Sequence, residues 1–364
     1  MDVSVSGRWS PFHLRLHRLL LQDPALLPRN SRLLLAVSGG QDSMALTGLL
    51  LDLVRLHGWT LQLWHGDHGW RTDSARQAGE LAAWAQGQGL PITVTRWQQQ
   101  PRHNAGASTD PYRSEARARA WRYGCLLREA QRLGAVRVLT GHTASDRAET
   151  LLLQLARGSH RRGLASLPLE RELGAGIPLV RPMLGFSRDD TGAICRHLAL
   201  PIWPDSSNAD PRFSRNRLRH EVLPVLEALH PGASRRLAAT AERLAAELET
   251  EQELLSLALK ALMPPAATPA VPAVPVAMGS TPSPARCPAL QRQELVGHSR
   301  ANQRRLLQLG SSQRPGRALA SRPLEQLLQR LGRGQPPGAL DLPAGWQLHW
   351  DRHTLQLDPP LQQP

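Results

Sequence analysis

Short apolar runs alternate with longer segments of helical periodicity through the first part of the chain. The apolar runs predict strands at 33–38, 60–65, 92–97 and 135–140. The longer segments predict helices at 43–56, 73–87, 111–133, 145–156 and 187–199. This alternation is typical of an α/β fold, here with a parallel sheet of the five-stranded type and helices on both faces. Such sheets bind their ligands at the carboxyl ends of the strands.

The rest of the chain divides into three parts of different composition. Residues 216–263 predict helix from their Leu and Ala spacing, residues 264–288 are a Pro- and Ala-rich linker, and residues 289–364 predict a small α+β module. With a larger first domain at 1–215, these parts give the expected domain organisation. The longest uncharged stretch, at 261–285, is too rich in proline to form a membrane helix, so no membrane partner is expected.

The charge balance indicates a polyanionic partner. Lys and Arg number 44 against 30 Asp and Glu, which gives a formal net charge of +14, and Lys260 is the single lysine. Arginine binds phosphate through a planar fork of donors and stays protonated, so nucleic acid is the favoured partner class. A GC-rich genome would explain the preference for Arg over Lys, but it would not explain the net charge.

The cysteines argue against sulfur chemistry. Cys125, Cys195 and Cys287 lie far apart, and the sequence contains no CxxC pair. A thiol metal site and a disulfide framework are therefore both disfavoured. This cysteine usage is typical of a reducing cytosol, so we expect a cytoplasmic location.

The segment SGGQDS at 38–43 lies between the first predicted strand and the first predicted helix. Two glycines let the backbone approach an anion, and N–H groups at a helix start attract phosphate. A carboxylate in this position suits a magnesium ion that bridges phosphates, although a simple turn with a helix cap would use the same residue types. The predicted phosphate-binding residues are Ser38, Gly39, Gly40, Gln41, Asp42 and Ser43, and Asp42 is also the predicted Mg²⁺ ligand.

SGGQDS resembles the SGGxDS loop of the PP-loop ATP pyrophosphatases, which have an adenine nucleotide alpha-hydrolase-like fold. Enzymes of that superfamily cut ATP between its α and β phosphates and transfer AMP to a substrate oxygen. The resemblance therefore implies ATP and Mg²⁺ as cofactors. The loop does not resemble a Walker A motif, because neither GxxxxGKS nor GxxxxGKT occurs in the chain.

Four further segments, taken in order, resemble one family of that superfamily, the tRNA(Ile)-lysidine synthetases. They are HGDHGWR at 65–71, EARARAWRY at 115–123, GHTASDRAET at 141–150 with RGS at 157–159, and the stretch from RPML at 181–184 to LP at 223–224. Trp70, Ser145 and Arg147 stand where the family pattern has Leu, Asp and Gln. The order of the segments is much more specific than the loop alone.

The resemblance implies roles for individual residues. The expected catalytic residues are Asp42, Asp67 and Asp146, and the further expected ATP contacts are His65, His68 and His142. The expected contacts to tRNA or pyrophosphate are Arg71, Arg119, Arg122, Arg157, Arg215 and Arg219. From the residues alone, the segment at 65–68 could also be a metal site, and the arginine helix could be a solvated face with ion pairs.

The implied reaction joins free L-lysine to carbon 2 of the wobble cytidine in a tRNA(Ile) with a CAU anticodon, through an adenylated tRNA. Residues 1–215 would form the catalytic domain, 216–263 would contact tRNA, and 289–364 would recognise tRNA. Two alternatives stay open. One is a tRNA 2-thiolase of the same fold, which the cysteine spacing disfavours. The other is a non-catalytic basic RNA-binding protein, which the departure at Ser145 favours.

Overall fold

The computed structural model describes residues 9–69, 73–97, 111–203, 213–263, 289–312, 321–332, 335–342 and 346–358. The predicted linker at 264–288 therefore lies outside the described residues. The chain forms two compact units, Met1–Ala246 and Glu247–Pro364. Among the described residues, no helix has the length and apolar character needed to span a bilayer.

The first unit is built on a six-stranded sheet of order β3-β2-β1-β4-β6-β5. Its strands are β1 (Arg32–Ala36), β2 (Thr60–Asp67), β3 (Ile92–Arg96), β4 (Arg137–Thr140), β5 (Glu170–Gly174) and β6 (Ile177–Val180). Five of them pair in parallel, which confirms the predicted sheet. The edge strand β5 is an addition that pairs antiparallel with β6.

Helices cover both faces of this sheet, as the pattern predicts. The helices of the first unit up to residue 229 are α1 (Pro11–Gln22), α2 (Gln41–His57), α3 (Ser74–Gly87), α4 (Pro111–Leu133), α5 (Ala144–Ala156), α6 (Arg161–Leu164), α7 (Arg188–His197), α8 (Ser214–Arg217) and α9 (Leu223–Leu229), with a π-helical turn over Leu218–Val222. Leu33 and Leu35 of β1 pack in the same core as α2, whereas Leu34 packs in the core that includes Leu126 of α4. Successive residues of a strand point to opposite faces, so one apolar run supplies both cores.

The second unit has a small antiparallel sheet of order β7-β10-β9-β8. Its strands are β7 (Leu290–Gln291), β8 (Gly338–Asp341), β9 (Gln347–Trp350) and β10 (Thr354–Asp358), and its helices are α11 (Arg292–Gly297), α12 (Arg300–Ser312) and α13 (Ser321–Arg330). A long helix, α10 (Ala233–Ala261), carries the chain from the first unit into the second. Leu295, Leu327 and Trp350 are buried in the core of the second unit. The α+β character expected of this part is confirmed.

Candidate active site

The loop at 38–43 connects β1 to α2 at the carboxyl edge of the sheet. Gly39 has a positive φ of 83°, a conformation that glycine adopts without strain. Ser43 Oγ donates to the Gly40 carbonyl at 2.9 Å, and the Gly40 N–H donates to Ser38 Oγ at 3.2 Å. These bonds fix a tight turn directly before the helix. The predicted phosphate loop therefore has the strand–loop–helix form in which a helix N-terminus meets an anion.

Close backbone packing sets the wall of this loop. A Cβ atom on Gly141, which follows β4, would lie 2.8 Å from the Asp42 carbonyl oxygen. Glycine is thus needed at this position for the turn after β4 to reach the start of α2. The contact brings the segments after β1 and β4, two neighbouring strands, into one site.

Asp42 lies in the first turn of α2, and its carboxylate is held by α7. Thr191 Oγ1 donates to Asp42 Oδ1 at 2.5 Å, and Arg188 Nη1 lies 3.4 Å from Asp42 Oδ2. Burial raises the pKa of Asp42 above its ordinary value, even though the Thr191 hydrogen bond opposes that change. Nearby Asp146 raises this pKa further. A carboxylate in this state is stabilised by any cation that approaches it.

Asp146 belongs to a second group, which we call the acid–arginine cluster: Asp146, Glu149, Arg215 and Arg219. Arg215 donates to Asp146 at 2.9 Å and to Glu149 at 2.7 Å, and Arg219 donates to Glu149 at 2.6 Å. The side chain of Glu149 is 0% exposed. The two carboxylates and two guanidiniums therefore satisfy one another inside the protein.

The pKa of Asp146 shifts in the opposite direction to that of Asp42. Burial by itself would raise the pKa of Asp146, but Arg215 and His142 outweigh burial and lower it. Asp146 also accepts the Thr143 N–H at 2.8 Å, which closes a capping box at the start of α5. Asp146 is thus an ionised, fully engaged carboxylate.

The end of β2 presents His65 and Asp67. His65 Nδ1 donates to the Val37 carbonyl at 2.8 Å, and burial lowers the pKa of His65, so its ring is a neutral imidazole with a lone pair on Nε2. Asp67 accepts the Gly69 N–H at 2.8 Å and lies 3.5 Å from Arg96. Burial would raise the pKa of Asp67, but these contacts lower it.

His68 lies in an aromatic group next to Asp67. Its ring meets Trp121 and Trp97 edge-on, with ring centroids 5.0 Å and 5.8 Å away, and Arg122 Nη2 lies 3.1 Å from His68 Nε2. Trp97 and Trp121 stack on each other at 5.6 Å. The 3.1 Å contact joins His68 and Arg122, two residues predicted from the sequence as site residues.

The other predicted residues lie in different places. His142 shares a hydrogen bond with Thr140 Oγ1 at 2.8 Å, and burial lowers its pKa, so it is a neutral imidazole. Arg119 is exposed and stacks over Tyr123. Arg157 is exposed at the end of α5, about 16 Å along the helix axis from Asp146. Arg71 lies outside the described residues.

The two departures from the family pattern in this region have different surroundings. Ser145 Oγ accepts the Arg188 N–H at 3.4 Å, so Ser145 lies where α5 and α7 both begin. Arg147 is 4% exposed, and its guanidinium donates to the Leu167 carbonyl at 3.1 Å and pairs with Glu242 at 3.5 Å. Arg147 thus connects α5 to α10 rather than lining the phosphate loop.

Three residues that we did not predict belong to the site. Glu149 is the buried centre of the acid–arginine cluster, and it could have been found because it lies within a matched segment. Arg188 and Thr191 contact Asp42 from a helix that is nearly 150 residues further along the chain. No local pattern marks those two residues, since only the fold brings them to the loop.

A model of the PP-loop domain matches residues 11–226. This range contains the sheet, the loop at 38–43 and the acid–arginine cluster. Fold and site together define the chain as a PP-loop ATP-binding protein.

The relatives define the family more closely. A tRNA(Ile)-lysidine synthase from Parasynechococcus marenigrum is 49% identical over 356 residues, which cover 97% of this chain and 96% of that protein. Another, from Synechococcus sp., is 51% identical over 249 residues, which cover 68% of this chain and 73% of that protein. The chain belongs to the tRNA(Ile)-lysidine synthase family, which is a family of enzymes.

A solved structure has a similar fold but low identity. A U34-tRNA thiolase from Methanococcus maripaludis is 16% identical with a TM-score of 0.53, and the match covers 64% of this chain and 78% of that chain. At this identity the likeness concerns the fold alone. The whole-length relatives carry the lysidine synthase name, which supports that interpretation over the thiolase alternative. Of the described cysteines, Cys125 in α4 and Cys195 in α7 are both buried.

Proposed function

We propose that this chain joins free L-lysine to carbon 2 of the wobble cytidine in a tRNA(Ile) with a CAU anticodon. The oxygen on carbon 2 attacks the α-phosphate of ATP, and pyrophosphate leaves. The ε-amine of lysine then attacks carbon 2, the bond from carbon 2 to the adenylated oxygen breaks, and AMP leaves with that oxygen. The product is lysidine in the tRNA, and this reaction fits a cytoplasmic location.

The observation that carries this proposal is the convergence of three helix starts on Asp42. Helix α2 begins in the loop at 38–43, α5 begins two residues after His142, and α7 supplies Thr191 and Arg188 to the Asp42 carboxylate. Each helix N-terminus carries partial positive charge, which favours a polyphosphate. Such a site suits the triphosphate of ATP and the charge that develops on departing pyrophosphate.

Asp42 is the residue that would hold a magnesium ion. Magnesium is often bound by one or two carboxylates together with phosphate oxygens and water. The described residues contain no group of three or more His, Cys, Asp or Glu arranged for a metal ion, so a site shared with phosphate fits better than an all-protein site. The ion would offset the negative charge of the pyrophosphate.

The acids near the site favour binding of the amine over removal of its proton. The ε-amine of lysine must be neutral to attack carbon 2. Asp67 and Asp146 both have lowered pKa values, which makes them weak bases at neutral pH. We therefore assign Asp67 to orientation of the lysine amine. We assign Asp146, which Arg215 and Arg219 already neutralise, to positioning of the site. We assign the lone pair of His65 Nε2 to contact with the nucleotide.

The predicted arginines divide into two groups by their surroundings. Arg119, Arg122 and Arg157 are exposed and would contact phosphates of the tRNA. Arg215 and Arg219 are held by Glu149 and Asp146, so we assign them to positioning of α5 against α8 and the π-helical turn. The second unit would then contribute to tRNA recognition, as expected from the sequence.

Nucleoside analysis by mass spectrometry tests the proposal. The purified chain is incubated with ATP, isotope-labelled L-lysine and a tRNA(Ile) transcript with a CAU anticodon. We expect labelled lysidine, and none when ATP is omitted or when a tRNA with a different anticodon is supplied. Sulfur incorporation from a sulfur donor would favour the thiolase alternative. Retention of tRNA without any modification would favour the non-catalytic alternative.

A further inference from the structure

Tyr123 of α4 is surrounded by three arginines. The guanidinium carbons of Arg119 and Arg171 lie 5.1 Å and 4.7 Å from the centre of its ring. Arg171 and Arg181 also lie close enough to the phenol to help lower its pKa. We call these four residues the tyrosine–arginine cluster. The phenol carries no full negative charge in its ordinary state, so it does not neutralise the arginines.

The cluster is short of negative charge. Within the described part of the chain, none of its three arginines forms an ion pair with a carboxylate. Arg215 and Arg219, in the same unit, are each paired with two carboxylates. Buried charges in proteins are normally paired, so the buried Arg181, which has two further guanidiniums nearby and no carboxylate partner within the described ranges, needs another explanation.

Arg181 makes this shortage most evident. It is 1% exposed, and its Nη1 donates to the Pro168 carbonyl at 2.6 Å. Its Nε is buried and has no hydrogen-bond partner among the described residues. Burial lowers the pKa of Arg181 to about 10, which still leaves a cation at neutral pH.

The cluster lies beside the candidate active site. Arg181 directly follows β6, which is the neighbour of β4, and His142 follows β4. Arg181 and Arg119 are close enough to contribute to the lowered pKa of His142, after the larger effect of burial. The phosphate loop follows β1, on the other side of β4. An anion at the cluster would therefore be separate from the triphosphate site.

We propose that the tyrosine–arginine cluster binds a small oxyanion next to His142. Guanidinium forks match the two oxygens of a carboxylate or a phosphate. The reaction offers both chemistries, since free lysine carries an α-carboxylate, whereas the nucleotide and RNA carry phosphates. The role of this anion in catalysis rests on the proposed function, but its binding can be measured without catalysis.

The ionisation of Tyr123 reports on the cluster directly. The chain has two tyrosines, so Tyr112→Phe leaves Tyr123 as its only phenol. Burial would raise the pKa of Tyr123, but Arg119, Arg181 and Arg171 outweigh it and lower the pKa. A bound anion would offset the arginine charge and move the ionisation to higher pH. The ultraviolet absorbance of phenolate follows this change, and circular dichroism at each pH checks that the protein stays folded.

The titration is run with L-lysine, with inorganic phosphate, and with cadaverine, which is lysine without its carboxylate. We expect a saturable shift to higher pH with L-lysine or with phosphate, and no shift with cadaverine. A shift with L-lysine alone identifies the site as a carboxylate site, and a shift with phosphate identifies it as a phosphate site. No saturable shift with either anion in folded protein overturns the proposal.

Two further variants in the Tyr112→Phe background separate the cluster from general charge effects. Arg171→Met should weaken anion binding about tenfold, because it removes a charged hydrogen-bond donor. Arg128→Met is the matched control, since Arg128 is exposed and contacts Cys125 instead of Tyr123. Equal losses in both variants would contradict the assignment. If the Tyr123 ionisation shifts as expected but no lysidine forms, the proposed function is contradicted and the anion site is not. If lysidine forms but the Tyr123 ionisation does not shift, the anion site is contradicted and the proposed function is not.

Discussion

Asp42 and Asp146 are both acids in the first turn of a helix at the same edge of the sheet, but their surroundings differ. Asp42 meets a threonine hydroxyl and one distant guanidinium, and burial raises its pKa. Asp146 is held by Thr143, Arg215 and Arg219, and its pKa is lowered despite burial. The comparison shows that similar positions near the loop support different roles. The protein partners of Asp42 do not fully neutralise its carboxylate, whereas two guanidiniums neutralise the carboxylate of Asp146.

The largest expected effect is on catalysis at Asp42. Asp42→Asn should reduce tRNA-dependent pyrophosphate release from ATP about 1,000-fold, because the carboxylate would hold the cation that offsets charge on the leaving group. The affinity for tRNA should stay nearly unchanged in a filter-binding assay. Asp189→Asn, at an exposed acid in the first turn of α7, is the control and should keep full activity. Loss of tRNA binding in Asp42→Asn would count against the role of the loop.

The next effect concerns stability of the acid–arginine cluster. Glu149→Gln removes a buried carboxylate that two arginines share, and it should lower the free energy of unfolding by about 3 kcal/mol in urea. Glu221→Gln breaks a pair with Arg217 at the surface and should change stability little. Equal stability of the two variants would mean that the cluster is not a structural unit.

The two acids should also affect stability with opposite sign. Because the pKa of Asp42 is raised in the folded state, its ionised form opposes folding, and Asp42→Asn should stabilise the nucleotide-free protein at pH 7. Because the pKa of Asp146 is lowered, its ionised form supports folding, and Asp146→Asn should destabilise the protein. Both differences should shrink as the pH falls through the acid range where the carboxylates take up protons. Destabilisation by Asp42→Asn at neutral pH would reverse our interpretation.

The smallest effect separates the two kinds of arginine. Arg157→Ala should leave stability unchanged, weaken tRNA binding by a few-fold, and reduce the slope of log affinity against log salt by about 1, because one phosphate contact is lost. Arg215→Ala should instead unfold more easily, since it leaves Glu149 and Asp146 short of a partner. An unchanged salt slope in Arg157→Ala would exclude a phosphate contact there.

Patterns within short stretches of sequence predicted the central strands and the turn that carries the loop, but not every element of the fold. The apolar run at 33–38 predicted β1, and it is continuously apolar because its leucines are buried on both faces of the sheet. The glycines at 39 and 40 predicted the turn that follows. Strand β5 was not predicted, because its polar sequence lies at the sheet edge, where pairing depends on the backbone. Helix α1 was not predicted either, and it places His13 in a fully buried position.

The same distinction applies to the candidate site. The loop residues could be predicted because they are contiguous and their types suit an anion. The direction in which the pKa of each acid shifts could not be predicted, because it depends on partners from distant segments. These partners come from α7 for Asp42, and from α8 with the π-helical turn for Asp146. Sequence therefore identifies which residues are present, and the fold determines which of them are already satisfied by protein partners.

The most direct test of the account follows the α-phosphate of ATP. With labelled α-phosphate, tRNA(Ile) and no lysine, we expect label to remain attached to the tRNA through AMP, and added lysine should release it as free AMP. Label that never joins the tRNA, or that joins it equally well in Asp42→Asn, would contradict adenylation of the RNA at the phosphate loop.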